Sequence, residues 1–231
     1  MAVNVKKFVP EALKQPVKKM LLRRQLRAAI KAIAHLPDGQ LPSRELLSEL
    51  TAGWSNEGYA ANVEYLEAVA GASLKTAGPI LECGSGATTI LLAILCGKRN
   101  VQVWSLEHFP EWRERVLETL KENGLSSGAH VCSSALKDYG NFAWYDPSLA
   151  EMPPEFSLVI CDGPPGSTKG GRYGLLPVMG QRLPPGTTIL LDDAGRPGEL
   201  ELIKKWELEA GFKTELIKTE ASEYAVMRRS S

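Results

Sequence analysis

The chain predicts an α/β protein: a doubly wound, mainly parallel sheet preceded by a basic helical extension. Three observations carry that reading. Pro79 to Leu92 (PILECGSGATTILL) is a short apolar run with an acid near its end, a Gly-Ser-Gly turn and a second apolar run, which reads as strand, tight turn and helix. Downstream, short runs such as VQVWSL, FSLVIC and TTILL alternate with segments of helical period, the pattern of βαβ units. Acidic residues stand at the ends of these runs, namely Glu82, Glu107, Asp162 and the pair Asp192 and Asp193. In open sheets, ligands bind outside the carboxyl ends of the strands.

With 231 residues, 44% hydrophobic and 23% charged, the chain has the profile of an ordinary globular protein: one domain plus an extension. The boundary is expected near residue 50, with 1–50 as the extension and 51–231 as the main domain. Zero net charge hides an asymmetry. Residues 1–35 hold nine of the 27 Lys and Arg but one of the 27 Asp and Glu, so this segment carries +8 and the remainder −8. No run approaches the roughly 18 to 20 apolar residues of a membrane span, and Lys and Arg interrupt the early apolar runs, unlike a secretory signal. Cys83, Cys96, Cys132 and Cys161 lack metal-type spacing and fall in or beside apolar runs. They read as reduced core residues of a cytoplasmic protein.

Over Val17–Ala34, Leu22, Leu26, Ala29, Ile30 and Ile33 recur at helical spacing, with Arg23, Arg24, Arg27 and Lys31 on an adjoining face. Such a helix either docks on the main domain with its charges solvated, or meets an anionic membrane surface or acidic partner through residues 1–35. Pro37, Gly39 and Pro42 break it. Ser43–Leu50 predicts a short helix with Ser43 as a candidate cap, and Gly58–Val69 another. Trp54, Ser55, Asn56 and Glu57, between them, predict a loop able to cover a ligand pocket.

In the central turn, Gly84 and Gly86 flank Ser85 and let a ligand approach the backbone closely. A helix starting at Ala87 or Thr88 aims unpaired N–H groups there, which suits an anionic or carboxylate-bearing ligand beside Glu82. The third glycine of the dinucleotide fingerprint falls on Thr89, which argues against a nicotinamide cofactor. Strand two, Val101–Leu106, ends in Glu107, 25 positions after Glu82. That is close to the roughly 20-residue interval at which an acid meets a ribose. Pro110 opens a helix with Trp112, Val116, Leu117 and Leu120 on its buried side, and Gly124 ends it. His130–Ser133 is strand three. Ser133, Ser134 and Ala135 follow at the place where such folds contact an adenine ring; the serines equally suit a turn.

Phe156–Cys161 is strand four, followed by Asp162 and the loop GPPGSTKGGRYG, whose Lys169 and Arg172 could orient an anionic or hydroxyl-rich substrate. Thr187–Leu191 is strand five, ending in Asp192 and Asp193. Adjacent carboxylates repel unless hydrogen-bonded, protonated or neutralised by a cation. Asp162, Asp192 and Asp193 together suit a hard divalent ion such as Mg²⁺. Glu199–Ala210 predicts a helix, and Phe212–Thr219 with Tyr224–Arg228 a closing strand pair.

The succession ILECGSGATT, VWSLEH, FSLVICDGPPG and ILLDDAGRP resembles the class I S-adenosylmethionine-dependent methyltransferases over roughly residues 54–231. The resemblance implies a Rossmann-like, doubly wound seven-stranded sheet, six strands parallel and one antiparallel near the C-terminus. It implies S-adenosylmethionine as cofactor, bound by Glu82, Gly84, Ser85, Gly86, Glu107, His108, Ser134, Ala135 and Asp162. Within that family, Asp162 followed by Asp192 and Asp193 resembles the metal site of catechol O-methyltransferase and of the macrocin-type sugar O-methyltransferases. This implies Mg²⁺ on the three aspartates, holding the hydroxyl of a small molecule or sugar. Those relatives place a base two or three residues after the first aspartate, where this chain has Pro164 and Pro165. Either Lys169 or another loop residue takes that role, with Asp162 nearest the reaction, or the metal site is vestigial.

The expectation is therefore a methyltransferase acting on oxygen. A nicotinamide-dependent oxidoreductase and a non-catalytic scaffold using the basic helix are the alternatives. Nucleic acid is disfavoured, because the main domain is net acidic, although the basic segment leaves a tethered mode open.

Overall fold

The computed structural model describes residues 11–55 and 61–229, with side chains from Gln15 onward. Asn56, Glu57, the first residues of the helix predicted from Gly58 and residues 1–10 of the basic segment lie outside the described residues.

The chain enters through three helices, α1 (Glu11–Ala34), α2 (Arg44–Trp54) and α3 (Val63–Lys75). Strand β1 (Ile80–Cys83) then leads into α4 (Ala87–Gly97), β2 (Val103–Glu107), α5 (Pro110–Glu122) and β3 (His130–Ser133). A small hairpin, β4 (Leu136–Asp138) and β5 (Ala143–Tyr145), precedes β6 (Leu158–Cys161). After it come α6 (Leu175–Met179), β7 (Thr188–Leu191), α7 (Pro197–Ala210), β8 (Phe212–Lys218) and β9 (Glu223–Arg229).

Seven strands form one sheet in the order β3-β2-β1-β6-β7-β9-β8, and β9 runs antiparallel to both neighbours. This is the predicted seven-stranded arrangement. Every residue of β1 and β6 is buried, as continuous apolar runs require when helices cover both faces. After β3 the chain returns past β1 to place β6 on its other side, so the order reverses between β1 and β6. Glu82, Glu107, Asp162, Asp192 and Asp193 all fall at the carboxyl ends of strands around that point.

Helix α4 is apolar all round, and each residue from Ala87 to Cys96 is buried. A helix of that composition needs cover on every side. Part of the cover is the N-terminal segment: Leu26, Ile30 and Ile33 of α1 and Leu47, Leu50 and Trp54 of α2 share one core with Ile90 and Leu91. The described part of α1 is thus docked on the domain. Its charged face is tied as well, since Arg23 pairs with Glu122 and Arg27 Nη2 lies 3.0 Å from Glu122 Oε2. The Ser43 hydroxyl accepts from Leu46 N–H at 3.4 Å, and α2 continues to Trp54. Trp54 is therefore a core residue of a helix, not part of a loop. Tyr65 of α3 donates to the Leu190 carbonyl at 3.0 Å and fixes that helix beneath β7. The cysteines are free thiols, three of them buried.

Candidate functional site

The turn after β1 is held by a relay of short hydrogen bonds. The Gly86 N–H donates to Thr89 Oγ1 at 2.9 Å, and the Thr89 hydroxyl donates to Glu82 Oε2 at 2.6 Å. Thr89, which breaks the glycine fingerprint, is thus the residue that ties the turn to the strand below it. Trp112 of α5 donates its indole N–H to the Ser85 carbonyl from the other side. Burial pushes the Glu82 carboxyl up to about 7, against the hydrogen bond from Thr89 that favours its charged form. Gly84 has φ +92°, and a Cβ there would sit 3.2 Å from Gly163 N. Gly86 differs: its φ of 173° is extended, and a Cβ would make only ordinary contact, 3.9 Å from Trp54 Nε1.

Glu107, at the end of β2, gathers four donors. Ser85 N–H and Oγ lie 3.1 and 2.8 Å from Oε2, while the N–H groups of His108 and Phe109 lie 2.7 and 2.8 Å from Oε1. Burial alone would raise its pKa, but the bonds from His108, Phe109 and Ser85 outweigh it and hold the carboxyl below its ordinary value. The His108 ring lies beside it, with Nδ1 3.2 Å from Glu107 Oε1. Ser134 is tied to the same strand end by its N–H on the Glu107 carbonyl at 2.8 Å, and its buried hydroxyl has no partner among the described residues. Ala135 is exposed.

On the other side of the reversal, Asp162 follows β6, and Asp192 and Asp193 follow β7. One oxygen of each lies within 4.8 Å of the others, so the three predicted acids do converge. The guanidinium of Arg172 lies among them. Its Nη2 is 3.1 Å from Asp162 Oδ1 and 3.3 Å from Asp193 Oδ2, and Nη1 donates to the Asp192 carbonyl. Glu199 Oε1 is 3.8 Å from Nη1, and Arg196 Nη1 is 2.9 Å from Asp193 Oδ2. Arg172 is 2% exposed. Burial works against its charge, yet Asp162, Glu199 and Asp193 raise its pKa above the ordinary value. Burial, then Asp162 and Asp193, push Asp192 up to about 7. Asp162 is raised by burial, partly offset by Arg172.

Arg172 therefore does not extend toward a substrate as its loop position suggested; it is an internal ion-pair residue. Lys169 is exposed, with Nζ 3.4 Å from Asp138 Oδ1 on β4, and is not among the groups brought to Asp162. The donor set does not fit a divalent ion. Asp162 and Asp193 already have a cation between them, and Asp192 Oδ1 accepts the Asp193 N–H at 2.9 Å.

Tyr145 escaped the sequence reading. It is fully buried on β5, its hydroxyl has no partner among the described residues, and a Cβ on Gly163 would lie 2.3 Å from that oxygen. Its ring is 5.8 Å from that of His108. Trp54 also faces the turn, edge-on to Trp112 at 5.4 Å with Arg115 stacked 4.3 Å over it. No local pattern marks Tyr145, because only the hairpin's return to the strand ends brings it there.

No family model and no curated protein matches the sequence. Solved structures do match. An O-methyltransferase from Bacillus cereus in complex with SAH (S-adenosylhomocysteine) superposes with a TM-score of 0.53 at 15% identity, covering 95% of this chain and 97% of that one. An SAH-bound methyltransferase from Podospora anserina gives 0.54 at 14%, covering 97% and 98%. Precorrin-6Y C5,15-methyltransferase from Geobacter metallireducens gives 0.54 at 13%, covering 77% and 93%. With its strand order and single antiparallel strand, the chain has the fold of the class I S-adenosylmethionine-dependent methyltransferases.

Proposed function

We propose that the protein is a cytoplasmic S-adenosylmethionine-dependent methyltransferase whose acceptor is a hydroxyl of a small molecule or sugar. The observation that carries the reading is Glu107, a strand-end carboxylate held ionised by backbone N–H groups on the β1–β2 side of the reversal. Nearby polar groups support it. Among the described residues the buried Ser134 and Tyr145 hydroxyls have no partner and none crowds a Cβ at position 86, as expected where a ligand approaches the backbone. The Ser85 hydroxyl reaches Glu107 through its side chain, so a ribose hydroxyl can take its place without disturbing the backbone bonds.

S-adenosylmethionine would supply an electrophilic methyl group, passed in line to the acceptor oxygen. Glu107 receives the ribose, the Gly84–Gly86 turn with Glu82 beneath it holds the amino-acid portion, and Ser134 meets the base. Asp162 stands at the rim, its side chain 36% exposed, and takes the acceptor's hydroxyl proton as the new carbon–oxygen bond forms. Calorimetric titration with S-adenosylhomocysteine tests the reading: binding supports it, and no heat at any concentration redirects attention to nicotinamide or scaffold functions.

A peripheral contact through α1 has its own support. Met20 and Leu21 are 48% and 55% exposed on a helix rich in Lys and Arg. Flotation with anionic vesicles, comparing the wild-type chain with one carrying Met20→Ser and Leu21→Ser, tests it; equal recovery removes it.

A further inference from the structure

The cluster after β6 and β7 differs from a metal centre in one respect that reorganises its chemistry. A single nitrogen, Arg172 Nη2, bridges carboxylates from two strand ends, Asp162 at 3.1 Å and Asp193 at 3.3 Å. The other terminal nitrogen donates to the Asp192 carbonyl and lies 3.8 Å from Glu199. One planar group thus touches all three residues that the resemblance assigns to Mg²⁺. Two further contacts tie the cluster together. Asp193 Oδ2 also meets Arg196 Nη1 at 2.9 Å, and Asp192 Oδ1 takes the Asp193 N–H. Asp193 adopts φ 55° to make that last contact, a left-handed conformation uncommon for a residue with a side chain.

We propose that Arg172 is the resident cation of the Asp162–Asp192–Asp193 cluster, standing where a divalent ion would stand, so that the chain holds no metal there. The guanidinium neutralises the acids that would otherwise repel each other, which is the electrostatic role a metal plays in such a triad. It cannot play the other role. Its nitrogens are all donors, so it has no vacant coordination position to give an acceptor hydroxyl and cannot activate one as a Lewis acid. What it does instead is fix Asp162: Oδ1 is held by Arg172 while the half-open rim leaves the other oxygen for the acceptor's proton. Arg172 is accordingly a positioning residue, and the absence of any acid or base at Pro164 and Pro165 follows naturally. This second part rests on the methyltransferase reading. The first does not, and the experiment separates them.

The test is a Mn²⁺ titration of the full chain followed by the loss of the free-ion signal in electron paramagnetic resonance, run with and without S-adenosylhomocysteine. The wild-type chain is expected to take up no Mn²⁺ in either condition. Arg172→Met, which keeps a stem and removes the charge, is expected to gain stoichiometric uptake that Asp192→Asn in the same chain removes. Stoichiometric uptake by the wild-type chain, lost in its Asp192→Asn variant, overturns the proposal. So does an Arg172→Met chain that keeps the wild-type circular dichroism and cooperative melting yet takes up none. The wild-type arm needs no variant to fold, and heat from S-adenosylhomocysteine in calorimetry reports on the cofactor independently of either result.

Discussion

The two halves of the strand-end rim stabilise carboxylates by different means. On the β1–β2 side, Glu107 is surrounded by neutral donors from residues at most 22 positions away, and its pKa is held down. On the β6–β7 side, Asp192 occupies the same structural position on its strand and is pushed up to about 7, because burial and the other aspartates outweigh Arg172. Backbone N–H groups are fixed by the turn itself and favour ionisation at little entropic cost. A guanidinium on a long stem must be held in place, and its removal leaves several charges uncompensated at once. The first half is robust to loss of one side chain; the second depends on one.

The largest effect should come from breaking the second half. Arg172→Met is expected to lower stability by about 3 to 5 kcal/mol, the usual cost of leaving buried charges without their partner. Urea unfolding measures it, and combination with Asp162→Asn should cost less than the sum of the two because they share one interaction. A loss under about 1 kcal/mol would mean that water already screens the cluster.

On the first half, Glu107→Ala should weaken S-adenosylhomocysteine by about a hundredfold or more, from two charge-assisted hydrogen bonds worth roughly 1.5 to 3 kcal/mol each. Calorimetry reads it, and unchanged affinity sinks the ribose assignment. Glu82 sharpens the comparison within this half, since its pKa is raised from 4.5 to about 7. The folded state then binds a proton that the unfolded state has released, so stability falls as pH rises from about 4.5 to about 7 and is flat above. The drop attributable to Glu82 is on the order of 3 kcal/mol. Glu82→Gln should make the stability curve shallower across that window, leaving the part due to Asp192, and an unaltered slope would refute a buried titrating Glu82.

The two halves also differed in how far sequence could expose them. The strands, their acidic ends and the glycine turn are consecutive residues, and their spacing is enforced by the βαβ repeat, so Glu82, Glu107, Asp162 and the aspartate pair could be placed from order alone. Arg172 could be seen but not oriented, because a loop of Gly, Pro and Ser carries no period to say which way its side chains turn. Its burial is decided by four acids from three other segments. Tyr145 was invisible for a related reason: β4 and β5 are three residues each and partly polar, too short for a strand pattern. Trp54 reads as loop in the sequence because α2 runs on through Gly53, a residue type that usually ends helices.

Lys169→Ala should have the smallest effect, and that makes it the sharpest test of where the base lies. The ammonium pairs with Asp138 at 3.4 Å, both side chains more than half exposed at 54% and 66%. Pairs of that kind contribute about 0 to 1 kcal/mol, so the variant should melt almost as the wild type does and bind S-adenosylhomocysteine equally well. Loss of a general base, by contrast, typically costs 10² to 10⁴-fold in rate. Once an acceptor is in hand, turnover of Lys169→Ala close to wild type, beside a collapse in Asp162→Asn, keeps proton removal on the β6 rim. The reverse pattern would require the hairpin and its flanking loop to carry Lys169 over the acceptor, and the Asp162–Arg172 pair would then serve the fold and not the chemistry.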